Sequence, residues 1–153
     1  MVALETLLSP ARVKCQVEAA SRKRVFELAA HQIASAEVGL EEDEIYTQLL
    51  AREKLGSTGL GEGVAVPHCR VAGCANPIGC LITLSSGVDF GSPDGRPVDL
   101  LFVLLVPPEA TQAHLDILAE IARRFSSSRY CQTLRSVSSD SDLLTFAVHG
   151  KAA

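Results

Sequence analysis

The sequence predicts an α/β protein, a three-layer α/β/α sandwich with a mixed sheet of about four to five strands flanked by helices. Three observations carry this expectation. Residues 99–106 form the most apolar run in the chain and end at Pro107-Pro108, the length and composition of a central strand covered on both faces. Shorter apolar runs at 13–17, 64–66 and 79–84 supply further strands. Apolar residues recur at helical spacing over 21–36 and 111–125, which puts helices on both sides of the main strand in sequence.

Along the chain, Val13, Cys15 and Val17 alternate after Pro10 as a short strand does. Ser21 is a good N-cap for a helix carrying Val25, Leu28, Ala29, Ile33 and Ala36, which Gly39 ends. A second helix spans 42–54, acidic in its first turn and with Arg52 and Lys54 in its last, an order that complements the helix dipole. Gly56, Gly59, Gly61 and Gly63 then crowd together, so no regular helix or strand is expected to cross 56–63. The run 64–66 reads as a buried strand stopped by Pro67, delivering His68 at its end beside a loop whose free amides suit an anion. An imidazole beside such a cradle points to phosphoryl chemistry on histidine; the plainer reading is a hydrogen-bonding structural His.

After the strand at 79–84, Gly91, Pro93, Asp94, Gly95 and Pro97 mark turns before the main strand. The helix over 111–125 is expected to bury Leu115, Leu118, Ala119, Ala122 and Phe125. Two shorter helices follow, one capped at Ser127 or Ser128, the other at Ser139 with Asp140 and Asp142 in its first turn. No repeat or linker divides the chain, so residues 4–148 read as one domain and 149–153 as a tail.

Composition narrows the function. With 153 residues, 47% hydrophobic and no tryptophan, the chain can bury a core built from Leu, Val, Ile and Ala. A net charge of −4 and no basic cluster longer than Arg22-Lys23-Arg24 argue against nucleic acid and leave a small molecule or a protein as partner. No apolar run is long enough for membrane insertion, and the N-terminus lacks a secretory pattern. The five cysteines have no C-x-x-C spacing, so reduced thiols in a cytoplasmic protein are expected. A metal site from His68, Cys69, Cys74 and Cys80 lacks ligand spacing, and no cofactor is implied.

Two long motifs carry a resemblance. Residues 52–68, Arg-Glu-Lys-Leu-Gly-Ser-Thr-Gly-Leu-Gly-Glu-Gly-Val-Ala-Val-Pro-His, closely resemble the signature of phosphotransferase-system (PTS) IIA domains of the fructose/mannitol class (type 2). Residues 94–107 and His114-Leu115 are similar to the same family, and the likeness extends from about residue 4 to 148. Within it the chain looks most like the stand-alone nitrogen-regulatory branch (IIA-Ntr), with no IIB or membrane region fused.

The resemblance implies a phosphoryl carrier. His68 matches the family's phosphorylated histidine, receiving the group from a phosphohistidine on an HPr/NPr-type phosphocarrier protein. Imidazole offers a neutral nucleophilic nitrogen once the other nitrogen is fixed as a donor. His114 matches the second active-site histidine; it either donates to a phosphoryl oxygen or is a polar residue in a first helical turn. Arg52 matches the active-site arginine, either clamping two phosphoryl oxygens or standing as a solvated helix-end charge. Ser57 and Thr58 either support phosphoryl binding through their hydroxyls or close the turn. Cys69, pointing opposite to His68, is expected to fill space; His31 and His149 receive no role. Implied partners are regulatory targets, such as sensor kinases or potassium-transport regulators. The alternatives are a transport IIA relaying phosphate to a IIB domain, or a non-catalytic binding module of the same fold.

Overall fold

The structure, a computed structural model, describes residues 4–109 and 112–150 except the side chain of residue 113. The expected helix start at Thr111 and most of the expected tail therefore lie outside the described residues. After two helical turns, Leu4–Thr6 and Pro10–Arg12, the elements are β1 (Val13–Val17), α1 (Arg22–Ala36), α2 (Glu42–Leu55), β2 (Gly59–Gly61), β3 (Val64–Ala65), β4 (His68–Arg70), β5 (Ile78–Val88), β6 (Val98–Val106), α3 (Gln112–Phe125), α4 (Ser128–Ser136) and α5 (Asp140–His149).

The six strands form one mixed sheet in the order β1-β5-β6-β3-β2, with β4 also paired to β6. β6 is parallel to β3 and β4 and antiparallel to β5. Alternation along β6 divides the core. Leu101, Val103 and Leu105 pack with Phe26, Ile33, Ile45 and Leu49 of α1 and α2, while Leu100, Phe102, Leu104 and Val106 pack with Ile117, Ile121, Leu134 and Leu143 of α3, α4 and α5. That is the expected α/β/α layering, and a strand sealed on both faces must read as an unbroken apolar run. Each such Leu or Phe contributes about 1.5–3 kcal/mol on burial.

Local chemistry sets the ends of the helices. The hydroxyls of Ser21, Ser127 and Ser139 accept from the amides of Arg24, Tyr130 and Asp142 at 3.1, 3.2 and 3.1 Å, satisfying donors that a helix start leaves unpaired. In α3 the expected buried stripe is corrected. Ile117, Ile121 and Phe125 are buried, whereas Leu115 is 59% exposed and Ala119 is exposed. Both stripes satisfy helical spacing, and the sheet selects the one that meets Leu104 and Phe102.

The glycine-rich stretch also departs from expectation, because a strand does cross it. β2 pairs antiparallel with β3, Gly59 opposite Ala65, and the reversal uses positive φ at Gly61 (90°), Glu62 (58°) and Gly63 (78°). A β-carbon at Gly59 would collide with Ser92 Oγ, so this glycine admits the 90s turn. Such short pieces raise the strand number above expectation. Pro67 separates β3 from β4 along β6, yet its carbonyl still accepts from Leu104 N at 2.9 Å, so the chain resumes pairing at His68.

Candidate functional site

His68 opens β4 opposite Leu104, with Cys69 opposite Leu105 and Arg70 opposite Val106. Residues paired across a ladder share a face, so His68 and Arg70 lie on the α3 side and Cys69 on the α1–α2 side. Cys69 is buried in that core, and burial pushes its thiol pKa up to about 12. It fills space, as its strand position led one to expect.

β4 lies at the sheet edge, and there a cleft of about 460 Å³ opens between α2 and α3. It is lined by Gln48, Arg52 and Leu55 of α2, by His68 and Arg70 of β4, and by His114 and Leu115 of α3. The structure thus brings Arg52, His68 and His114 together from three separated parts of the chain. His114 stands in the first turn of α3, as expected.

The ring of His68 is half-buried, and its Nδ1 lies 2.8 Å from the carbonyl oxygen of Val66. A carbonyl can only accept, so Nδ1 carries the proton and Nε2 keeps its lone pair. Burial lowers the His68 pKa below the ordinary value of 6.5, and the Arg52 guanidinium lowers it further, against the Val66 bond and the Glu53 carboxylate, which raise it. The imidazole is neutral at pH 7 and presents one nucleophilic nitrogen.

Arg52 is held by its own chain, Nη1 donating to Gly56 O at 2.8 Å. Among the described residues neither Arg52 nor Arg70 joins an ion pair. The cleft therefore holds unspent positive charge beside a neutral nucleophile, a setting for a doubly charged oxyanion.

Two expectations for the loop change. The hydroxyl of Ser57 donates to Phe90 O at 2.7 Å and accepts from Gly59 N at 3.0 Å. The Thr58 hydroxyl donates to Glu53 Oε1 at 2.7 Å. Both side chains close the turn, the second of the two uses the sequence allowed, and neither lines the cleft. Nor does the hairpin turn at 61–63 reach His68. β3 pairs with β6 at Leu100, four positions from Leu104 opposite His68, about 13 Å along the strand, and the Glu62 amide is spent on Asp94 Oδ2 at 2.8 Å. Side chains from three elements, α2, β4 and α3, line the cleft.

Sequence reasoning missed Arg70 and Glu53. Arg70 was within reach of the rule that residues two apart on a strand share a face. Glu53 carried a signal as well, since an acid in the last turn of a helix opposes the dipole and needs a local reason. Among the described residues no group of three His, Cys, Asp or Glu side chains is placed to hold a metal ion, and no helix is long and apolar enough to cross a membrane.

Comparison with known proteins gives a consistent result. Residues 6–147 match the family described as phosphoenolpyruvate-dependent sugar phosphotransferase system, EIIA 2. The chain is 46% identical over 136 residues to a nitrogen regulatory protein of Pseudomonas aeruginosa, covering 89% of this chain and 88% of that protein. It is 37% identical over 133 residues to the nitrogen regulatory protein of Escherichia coli K12, covering 86% and 78%. The crystal structure of the nitrogen regulatory protein IIA-Ntr from Neisseria meningitidis superimposes with a TM-score of 0.87 at 39% identity, covering 94% of this chain and 97% of that one.

Proposed function

The chain belongs to the EIIA 2 family of the phosphoenolpyruvate-dependent sugar phosphotransferase system, and from that premise we propose that it is a cytoplasmic phosphoryl-carrier protein of the nitrogen-related branch. It accepts a phosphoryl group on His68 from an HPr/NPr-type phosphohistidine carrier and acts on regulatory proteins according to its phosphorylation state. Sensor kinases and potassium-transport regulators are candidate targets. The observation that carries the reading is the Nδ1–Val66 hydrogen bond of 2.8 Å, which commits one nitrogen and leaves Nε2 as the nucleophile in a cleft shared with Arg52 and His114.

In the reaction the Nε2 lone pair forms the new N–P bond as the donor's N–P bond breaks, and the donor imidazole leaves with that electron pair. The proton stays on Nδ1, donated to Val66 O, so no proton moves at this chain in the transfer itself. Little covalent help is needed, and positioning with charge stabilisation is the protein's task. The Arg52 guanidinium and the His114 imidazole hold the oxygens of the transferring group, while Ser57 and Thr58 keep the supporting turn closed. The group sets a dianionic trio of oxygens, on a ring that keeps its Nδ1 proton, into a cleft lined by two arginines, enough to change which surface a partner meets.

Incubation with a labelled HPr-type or NPr-type phosphocarrier tests this. Wild type takes up label and His68→Ala does not; equal labelling of the two refutes the assignment. Rapid loss of label from the wild type to a IIB domain would instead place the protein in a transport relay.

A further inference from the structure

Glu53 lies outside the cleft lining, yet it is buried to 5% exposure at the C-terminal end of α2, where an acid is disfavoured by the dipole. Its two oxygens grip one residue. Oε2 accepts from Thr58 N at 2.9 Å and Oε1 from Thr58 Oγ1 at 2.7 Å, while Arg22 Nη1 of α1 stands 3.9 Å away. The neighbouring residue Arg52 donates to Gly56 O of the same turn. Successive residues of α2 thus hold the 56–58 turn from two sides, Arg52 from the cleft and Glu53 from the core.

We propose that Glu53 is a positioning residue for phosphoryl transfer: by anchoring Thr58 from within the core it sets the turn on which the Arg52 guanidinium rests. This rests on His68 being the phosphoryl acceptor. The geometry gives Glu53 a mechanical effect, and its charge adds a second, separable one. Without the Thr58 grip the 56–58 turn loosens, Gly56 O shifts, and the guanidinium loses the geometry needed at the transferring group. The second is electrostatic. The groups around His68 are Arg52 and Glu53 from α2, Arg70 on β4 and His114 from α3. Glu53 is the acid whose charge raises the His68 pKa, against burial and Arg52. Thr58 is only 6% exposed, so its hydroxyl serves this anchor rather than the substrate.

The test compares rates of phosphoryl acceptance from a labelled HPr/NPr-type carrier, as kcat/KM across pH, for wild type, Glu53→Gln, Thr58→Val and Thr58→Ser. Glu53→Gln is expected to lose about tenfold in kcat/KM and to move the acid limb of its pH profile to lower pH, since the charge that raised the His68 pKa is gone. Thr58→Val removes one anchor bond and keeps the charge, so it slows transfer with the acid limb unmoved, and Thr58→Ser restores the rate. A purely structural Glu53 would lower thermal stability and leave the rate per folded molecule and the acid limb as in wild type; that result overturns the inference. Should Glu53→Gln fail to fold, the Thr58 pair decides, and Thr58→Ser no faster than Thr58→Val also overturns it. No label on wild-type His68 would instead mark failure of the underlying reading.

Discussion

Residues 52–68 are one continuous motif in sequence, yet its two regions end in opposite conditions. Around Glu62 every charge has a partner: Glu62 meets Arg96 at 2.8 Å, its amide meets Asp94 at 2.8 Å, and Arg135 holds Asp99 at 2.9 Å and Glu62 O at 2.8 Å. Accepting the backbone amides of Glu62 and Arg96 holds the Asp94 carboxyl below its usual range. Around His68, Arg52 and Arg70 line a cleft without an ion pair among the described residues, and the imidazole is kept neutral. In the glycine hairpin the amide, carbonyl and carboxylate of Glu62 are all engaged within the fold. The histidine end keeps charge in reserve. Within one motif, unspent charge distinguishes chemistry from packing better than glycine content does.

The contrast makes the largest effect fall on the histidine side. Arg52→Ala is expected to slow phosphoryl acceptance by about a hundredfold, because a guanidinium facing the transferring group stabilises the charge that develops there. Its melting temperature should fall by only a few degrees, since among the described residues Arg52 joins no ion pair and gives the fold one exposed hydrogen bond, to Gly56 O. A thermal melt alongside the transfer assay reads both, and a variant with wild-type transfer would erase the functional difference between the two ends.

Next in size is the converse experiment on the hairpin. A β-carbon at Gly59 would collide with Ser92 Oγ and lie 3.1 Å from Ser92 Cα. Gly59→Ala should therefore cost about 2 kcal/mol in denaturant unfolding by overpacking. The rate of transfer per folded molecule should remain unchanged. A catalytic defect without loss of stability would mean that the glycines serve the site directly.

Much of this organisation was legible in the residues. β6 announced itself because a strand buried on both faces has no polar alternation, and the serine caps of α1, α4 and α5 declared three helix starts. The hairpin was not legible, because β2 is built from Gly-Leu-Gly and owes its pairing to β3 and to the Ser92 turn rather than to β propensity. The α3 stripe was ambiguous for the opposite reason: leucines and isoleucines occupy neighbouring faces, and only the sheet chooses Ile117 and Ile121. Leu115, left exposed by that choice, rims the cleft. Sequence position could list Arg52, His68 and His114 but not join them, since their meeting depends on α2, β4 and α3 converging at one sheet edge.

A smaller effect follows from pH. The folded-state pKa of His68 is depressed below 6.5, so transfer should be flat above pH 6.5 and fall only as acid protonates Nε2 at the lower folded value. Stability has the same sign. The unfolded chain takes up its proton at about pH 6.5 while the folded ring resists, so the His68 contribution is intact above that pH and is lost as pH falls towards the folded value. Unfolding free energies of wild type and His68→Gln should therefore diverge only in that acid window; divergence above pH 7 would contradict the assigned shift. Smallest of all, Arg96→Ala removes a well-exposed pair with Glu62 and should change stability by less than about 1 kcal/mol, with no effect on transfer.

The most direct measurement is nitrogen–phosphorus coupling in protein labelled with ¹⁵N-histidine and phosphorylated by a carrier of the HPr/NPr type. Phosphorus coupled to Nε2 of His68, with Nδ1 still protonated against the Val66 carbonyl, is the predicted spectrum. A phosphoryl group on Nδ1 of that ring, or on His114, would contradict it.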